Sequence, residues 1–295
     1  MTRILLPIVW IAWGLAYPLM SFSLQAADLF STRLIILPLS GAILLVTGMV
    51  RGAPLLPTAS MWGPLALTGL FNMGLFQIFL ISGIATLGPS RTPIIIYTMP
   101  AWSSLFAAFL LKERISLRIA LSLLLSLVAV GLIISQEAAV RRAPIGTLLT
   151  LLAAISFGIG TVLTKRYSLR GDPAINAGWQ LLLGTLPVIA VWLVWLPHVY
   201  FRPEETRGLL ALAFLILISN ALAYFCWFRI IQLMPASVAS LTTLVVPCVG
   251  FGSSALMTGA PVSWLDLAAL VLIVAAVALA LTRRESLDRA HPARS

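Results

Sequence analysis

The sequence predicts an all-α, polytopic membrane protein of ten transmembrane helices, arranged as two inverted five-helix repeats. Three observations predict it. Of 295 residues, 60% are hydrophobic and 9% charged, whereas about a quarter of a soluble domain is charged, so water is not the main solvent. Gly, Pro and charge divide the chain into ten apolar runs, each near the roughly 20 residues that a hydrocarbon core about 30 Å thick demands. The residue order of the first five runs recurs in the last five. A transmembrane barrel is excluded, because its strands alternate in polarity, whereas Leu121 to Ile134 is almost uninterrupted apolar sequence.

The runs lie near 4–24, 29–50, 62–84, 90–111, 116–135, 143–163, 175–196, 208–229, 236–257 and 263–282. The first is too long for a signal-peptide core and no A-x-A site follows it, so it is expected to stay as a membrane helix. It carries Trp10, Trp13, Gly14, Tyr17 and Ser21 along one stripe, interrupted by Pro18, which frees a backbone carbonyl and invites a bend. The third carries Asn72, Phe76 and Phe79 at i, i+4 and i+7, one helical face, and the eighth repeats that stripe with Asn220, Tyr224 and Trp227. The fourth brings Pro93, Tyr97, Pro100, Trp102 and Ser104; the ninth brings Thr242, Thr243, Pro247 and Ser253. Ser122, Ser126 and Ala129 of the fifth, and the Ala, Leu and Val of the tenth, read as close-packing or dimer-facing scaffold rather than substrate contacts. The sixth offers Ser156, Phe157, Gly160 and Thr161.

The formal net charge of +10 is a topology signal. With the N-terminus inside, 13 of the 19 cations fall on the cytoplasmic side and 6 outside, the asymmetry of the positive-inside rule. Both termini are then cytoplasmic, and nucleic acid drops out as a partner. Cys226 and Cys248 lie in apolar runs with no metal-ligand spacing, and neither a metal nor a cofactor is implied.

The internal matches are ordered. Trp13-Gly14-Leu15 aligns with Phe157-Gly158-Ile159 at an offset of 144; Asn72, Phe76 and Phe79 align with Asn220, Tyr224 and Trp227 at 148; Ser90, Pro100 and Ser116 align with Ser237, Pro247 and Ser263 at 147. Five helices per unit is odd, so the second unit enters the membrane inverted, an architecture of many secondary transporters with the substrate site between the repeats. The units are taken as 1–138 and 139–284, with a cytoplasmic tail at 285–295.

Trp13-Gly14, Thr32-Arg33, and Pro100 followed by Leu111-Lys112-Glu113-Arg114-Ile115-Ser116 resemble the EamA-type repeat of the drug/metabolite transporter superfamily. The resemblance covers both halves and is closest to its YddG-type amino-acid exporters. It implies ten helices in two inverted repeats, residence in the bacterial inner membrane, and export. The second half departs from it, reading Gly259-Ala260-Pro261 where the first reads Lys112-Glu113-Arg114.

The expected substrate-binding residues are Trp13, Tyr17, Asn72, Phe76, Phe79, Tyr97, Trp102, Phe157, Thr161, Asn220, Tyr224 and Trp227, with hinges at Pro18, Pro100 and Pro247. Polar groups within spans face other helices or a wet cavity, and paired prolines mark broken helices at a transport site. The acids fall at span boundaries, such as Asp28, Glu113 and Asp266, and the histidines are His198 in a loop and His291 in the tail. With no carboxylate at mid-membrane, a proton relay is not expected. The cations Arg33, Arg91 and Lys165 are expected to snorkel to an interface or to pair locally. A cavity of amides, hydroxyls and rings suits a neutral or zwitterionic cargo, the rings holding an ammonium group by cation–π attraction. Amino acids fit; drugs or other neutral metabolites are the alternative. An intramembrane enzyme is not expected, since Gly252-Ser253-Ser254 has no histidine within the spans to serve it, nor is a channel with charged rings. The working unit is expected to be a monomer in the lipid bilayer.

Overall fold

The computed structural model describes residues 2–87, 92–135, 144–195, 198–258 and 264–281. Arg91, Arg141, Arg142, Ser90, Ser263, the Gly259-Ala260-Pro261 corner, His291 and the tail at 285–295 lie outside them.

Ten helices follow in order among the described residues. They are α1 (Thr2–Ala26), α2 (Leu29–Val50), α3 (Trp62–Gly69, Leu70–Leu75 and Phe76–Leu87 in continuous succession), α4 in two pieces (Thr92–Ile96 and Met99–Leu110) and α5 (Leu117–Ser135). The second set is α6 (Pro144–Tyr167), α7 (Pro173–Trp195), α8 (Thr206–Phe214, Leu215–Leu222 and Ala223–Leu233 in succession), α9 in two pieces (Ala236–Thr242 and Val245–Thr258) and α10 (Trp264–Leu281). No strand occurs among these residues, only an isolated bridge between Ala27 and Phe201.

Helix starts follow local chemistry. Asp28 Oδ1 accepts from the Phe30 and Ser31 N–H groups at the head of α2, and Asp172 Oδ1 accepts from Ala174 and Ile175 at the head of α7. Both are aspartate N-caps, 144 positions apart. Pro173 and Pro144 open α7 and α6, where a missing N–H costs nothing.

Packing carries the duplication into three dimensions. α1 lies against α8 and the second piece of α9, while α6 lies against α3 and α4; α2 pairs with α7, and α5 with α10. Each repeat's first helix therefore packs on the other repeat's third and fourth, and like pairs with like along the axis. Gly14 makes the first crossing possible, since a Cβ there would sit 2.5 Å from Val249 Cβ. Gly158, its counterpart, meets Trp102 Cβ at 3.0 Å and Ser103 N at 3.1 Å. In lipid, where apolar surface alone does not hold helices together, such close approach provides the van der Waals contact. Ser122, Ser126 and Ala129 of α5 are buried, and Ala129 shares a core cluster with Ala269 and Ile273 of α10, the helix that α5 packs on.

Six of the helices are long and apolar enough to cross a membrane. The outer surface is apolar: Leu256 and Trp264 are 89% and 86% exposed, which suits hydrocarbon contact rather than water. The protein is a multi-pass membrane protein.

Four irregularities interrupt the bundle in repeat-related pairs. Leu70–Leu75 of α3 and Leu215–Leu222 of α8 are π-helical. α4 and α9 each break, at Tyr97-Thr98 and Thr243-Leu244. Pro100 and Pro247 stand in the first turn of the piece that follows each break, so the interruptions fall just ahead of the prolines. α1 is continuous through Pro18. The α1–α9 crossing is close there: the Gly14 carbonyl, four residues before Pro18, lies 3.4 Å from where Gly250 would carry a Cβ.

Candidate functional site

The four irregularities converge on one cavity of about 110 Å³. Phe76 and Gln77 reach it from the end of the π segment in α3; Ser219 and Asn220 reach it from the π segment of α8. Tyr97 lines it at the break of α4 and Thr243 at the break of α9. Trp13, Tyr17 and Met20 of α1, Arg33 of α2, Phe157 of α6 and Tyr224 of α8 complete the polar and aromatic wall.

A π turn inserts a residue into the helix and leaves carbonyls outside the regular ladder. In lipid those carbonyls need donors. The indole N–H of Trp13 donates to Ser219 O at 3.0 Å, and Ser40 Oγ donates to Ile216 O at 2.8 Å. Asn220 Nδ2 donates to Leu215 O within its own helix at 2.8 Å. On the other side Ser156 Oγ donates to Phe71 O at 2.8 Å. Phe71 and Ser219 are 148 positions apart, the offset of the repeat, so each π segment is tied to the first helix of the opposite repeat.

Aromatic rings close one end of the cavity. Trp13 meets Tyr224 at 5.4 Å and Trp227 at 5.5 Å between centroids; Phe157 meets Phe76 at 5.2 Å and stacks on Trp227 at 5.9 Å. Tyr17 and Tyr97 face each other edge-on at 6.2 Å. These separations are ordinary for interacting rings.

Of the residues expected at the site, Trp13, Tyr17, Phe76, Tyr97, Phe157, Asn220 and Tyr224 line the cavity. Five do not. Asn72 is fully buried between α6 and α7, donating to Thr164 Oγ1 at 3.0 Å and Gln180 Oε1 at 3.5 Å. Trp227 is fully buried within the ring cluster, and Phe79 packs against the core. Trp102 lies under Gly158, and Thr161 is buried in α6 away from the cavity wall. The two stripes look alike on α-helical spacing. Both asparagines lie within π segments, yet Asn72 is held by Thr164 of α6 and Gln180 of α7 whereas Asn220 lines the cavity.

Arg33, Gln77, Ser219 and Thr243 also line the cavity, and none is among the substrate-binding residues expected from sequence. Arg33 is a correction: it does not snorkel to an interface but is 3% exposed and lines the cavity. The signal was available, because an ionisable residue inside a span is by default a functional candidate. Lys165 does pair locally, donating to Gln232 O at 3.3 Å.

Comparison with known proteins places this geometry. The EamA-like transporter family profile matches residues 2–135 and 144–282, one copy per repeat. Uncharacterized transporter YvbV of Bacillus subtilis is 25% identical over 295 residues, covering 97% of this chain and 93% of that protein. An uncharacterized transporter of Synechocystis is 28% identical over 249 residues, covering 79% and 73%. A chloroplastic WAT1-related protein of Arabidopsis thaliana is 27% identical over 226 residues, and the match spans 73% of this chain but only 54% of that one. A solved crystal structure superposes with TM-score 0.78 at 19% identity, covering 96% of this chain and 98% of the other, a likeness of fold. Matched by one family profile in both halves, this chain belongs to the EamA-like transporter family.

Proposed function

We propose that the chain is an alternating-access exporter of amino acids, neutral and aromatic ones included, that works without a proton relay. The carrying observation is that two π segments and two helix breaks, paired by the repeat, meet at one aromatic-walled cavity. Irregular backbone at membrane depth is tolerated where it is buried in protein or lines a cavity, and discontinuous helices at a repeat interface are where transporters bind cargo. Ring faces suit an ammonium group. No Asp or Glu is among the residues lining the cavity, which supports movement down the substrate gradient or by exchange. The cation asymmetry of 13 against 6 supports cytoplasmic termini in a bacterial inner membrane, and the direction of export rests on the family resemblance.

Counterflow in proteoliposomes tests this reading. Preloaded unlabelled amino acid is expected to drive transient accumulation of labelled amino acid, and an imposed pH difference alone is expected to drive none. Accumulation on the pH difference alone would overturn the relay-free mechanism. Movement of a quaternary ammonium drug in place of every amino acid tried would overturn the substrate class.

A further inference from the structure

Two side chains in the cavity wall carry hydrogen-bonding capacity that nothing among the described residues uses. Arg33 Nε, a donor, has no partner, and its guanidinium makes one contact, Nη2 to Met20 Sδ at 3.4 Å. Gln77 Oε1, an acceptor, also has no partner. Both residues are buried, 3% and 4% exposed, and both line the same cavity. Among the described residues Arg33 makes no ion pair, and it is the one charged side chain in the cavity wall.

A buried guanidinium without an ion partner is costly to keep. A planar fork of N–H donors is matched by a carboxylate, which it binds through two parallel charge-assisted bonds. An unpaired amide oxygen in the same cavity is matched by an ammonium group. A donor fork and an acceptor in one chamber whose wall also carries aromatic rings form the complement of a zwitterion with an apolar side chain.

We propose that Arg33 anchors the carboxylate of the cargo and Gln77 Oε1 accepts from its ammonium group, so that the site selects for a free carboxylate over amines lacking one. The assignment rests on the amino-acid reading above and specifies the atoms of that recognition. It makes Arg33 a specificity-determining residue rather than an interfacial anchor.

The test uses three compounds that share one ring: phenylalanine, 3-phenylpropionate without the ammonium group, and phenethylamine without the carboxylate. Binding to the purified full chain is read from tryptophan fluorescence, since Trp13 borders the cavity, and flux is read by counterflow. The wild type is expected to bind phenethylamine about 10- to 100-fold more weakly than phenylalanine, the loss for one charge-assisted pair. Arg33→Gln is expected to erase that difference and leave phenethylamine binding where it was, with Arg33→Lys between the two. Gln77→Met is expected to weaken phenylalanine and leave 3-phenylpropionate unchanged. Equal binding of phenethylamine and phenylalanine by the wild type overturns the Arg33 assignment while leaving amino-acid transport standing, and this comparison needs no variant to fold. Equal losses for all three compounds in Arg33→Gln, or no binding of either carboxylate by the wild type, also overturn it. Binding and flux of 3-phenylpropionate without phenylalanine would sink the amino-acid reading and the Gln77 role, and keep Arg33 as a carboxylate anchor.

Discussion

The indole N–H of Trp13 donates to the backbone carbonyl of Ser219 at 3.0 Å, joining the first helix of one repeat to the π segment of the other. Its counterpart, Ser156 Oγ to Phe71 O at 2.8 Å, makes the reciprocal tie. Different side chains do the same work because the carbonyl to be satisfied recurs at the repeat offset, whereas the donor only has to reach it. Trp13→Phe keeps the ring and removes the donor, leaving a carbonyl without its partner. The expected outcome is a loss of about 1–3 kcal/mol, seen as a lower thermal midpoint of the purified protein. Ser156→Ala is expected to lose a similar amount.

Gly14 and Gly158 hold equivalent crossings with unequal room. A methyl at Gly14 meets Val249 Cβ and Cγ1 at 2.5 Å, whereas at Gly158 the nearest atoms lie at 3.0 and 3.1 Å. Gly14→Ala is therefore expected to cost about 1–3 kcal/mol and Gly158→Ala less. Val249→Gly, which removes both obstructing atoms, should restore part of the stability of Gly14→Ala. Thermal melts of the four proteins check the order.

Asn72 and Asn220 look equivalent in sequence and are not equivalent in space. Asn72→Ala is expected to lower the yield and melting temperature, because it strips a buried amide from Thr164 and Gln180. Asn220→Ala, at the cavity, is expected to act mainly on KM and turnover. Counterflow kinetics normalised to folded protein separate the two; equal loss of yield in both would argue that Asn220 is purely structural.

Pro100 and Pro247 begin the second pieces of α4 and α9. Replacing either with Ala supplies an N–H that lets the helix continue through the break. If the breaks flex during the cycle, turnover falls by about tenfold, near 1.4 kcal/mol on the barrier, while KM holds. Unchanged turnover in both variants would make the breaks static packing features.

Glu113 closes the end of the bundle where α4 meets α9. Its carboxylate accepts from Ala236 N at 3.0 Å, Ser237 N at 3.3 Å and Ser237 Oγ at 2.7 Å, so a loop residue of the first repeat caps a helix of the second. Glu113→Ala is expected to cost about 1 kcal/mol. It should also speed alkylation of a reporter cysteine at Thr243 in a background lacking Cys226 and Cys248. The repeat-equivalent corner of the sequence reads Gly259-Ala260-Pro261, without a carboxylate.

By itself the sequence determined the solvent, the number of helices, their duplication and the family. These depend on composition and on spacing along one chain, which hydrocarbon thickness translates directly into spans. It also located the helix breaks to within a turn, because proline cannot donate. Only the tertiary structure decided which polar residues face the cavity. Asn72 meets Thr164 of α6 and Gln180 of α7, and the periodicity of one helix does not reveal which neighbours that helix will meet. Arg33 was legible as a charge and illegible as a site: its position near a span end suggested an interface, and only the fold of α1, α3 and α8 around it shows a buried guanidinium with a cavity in front.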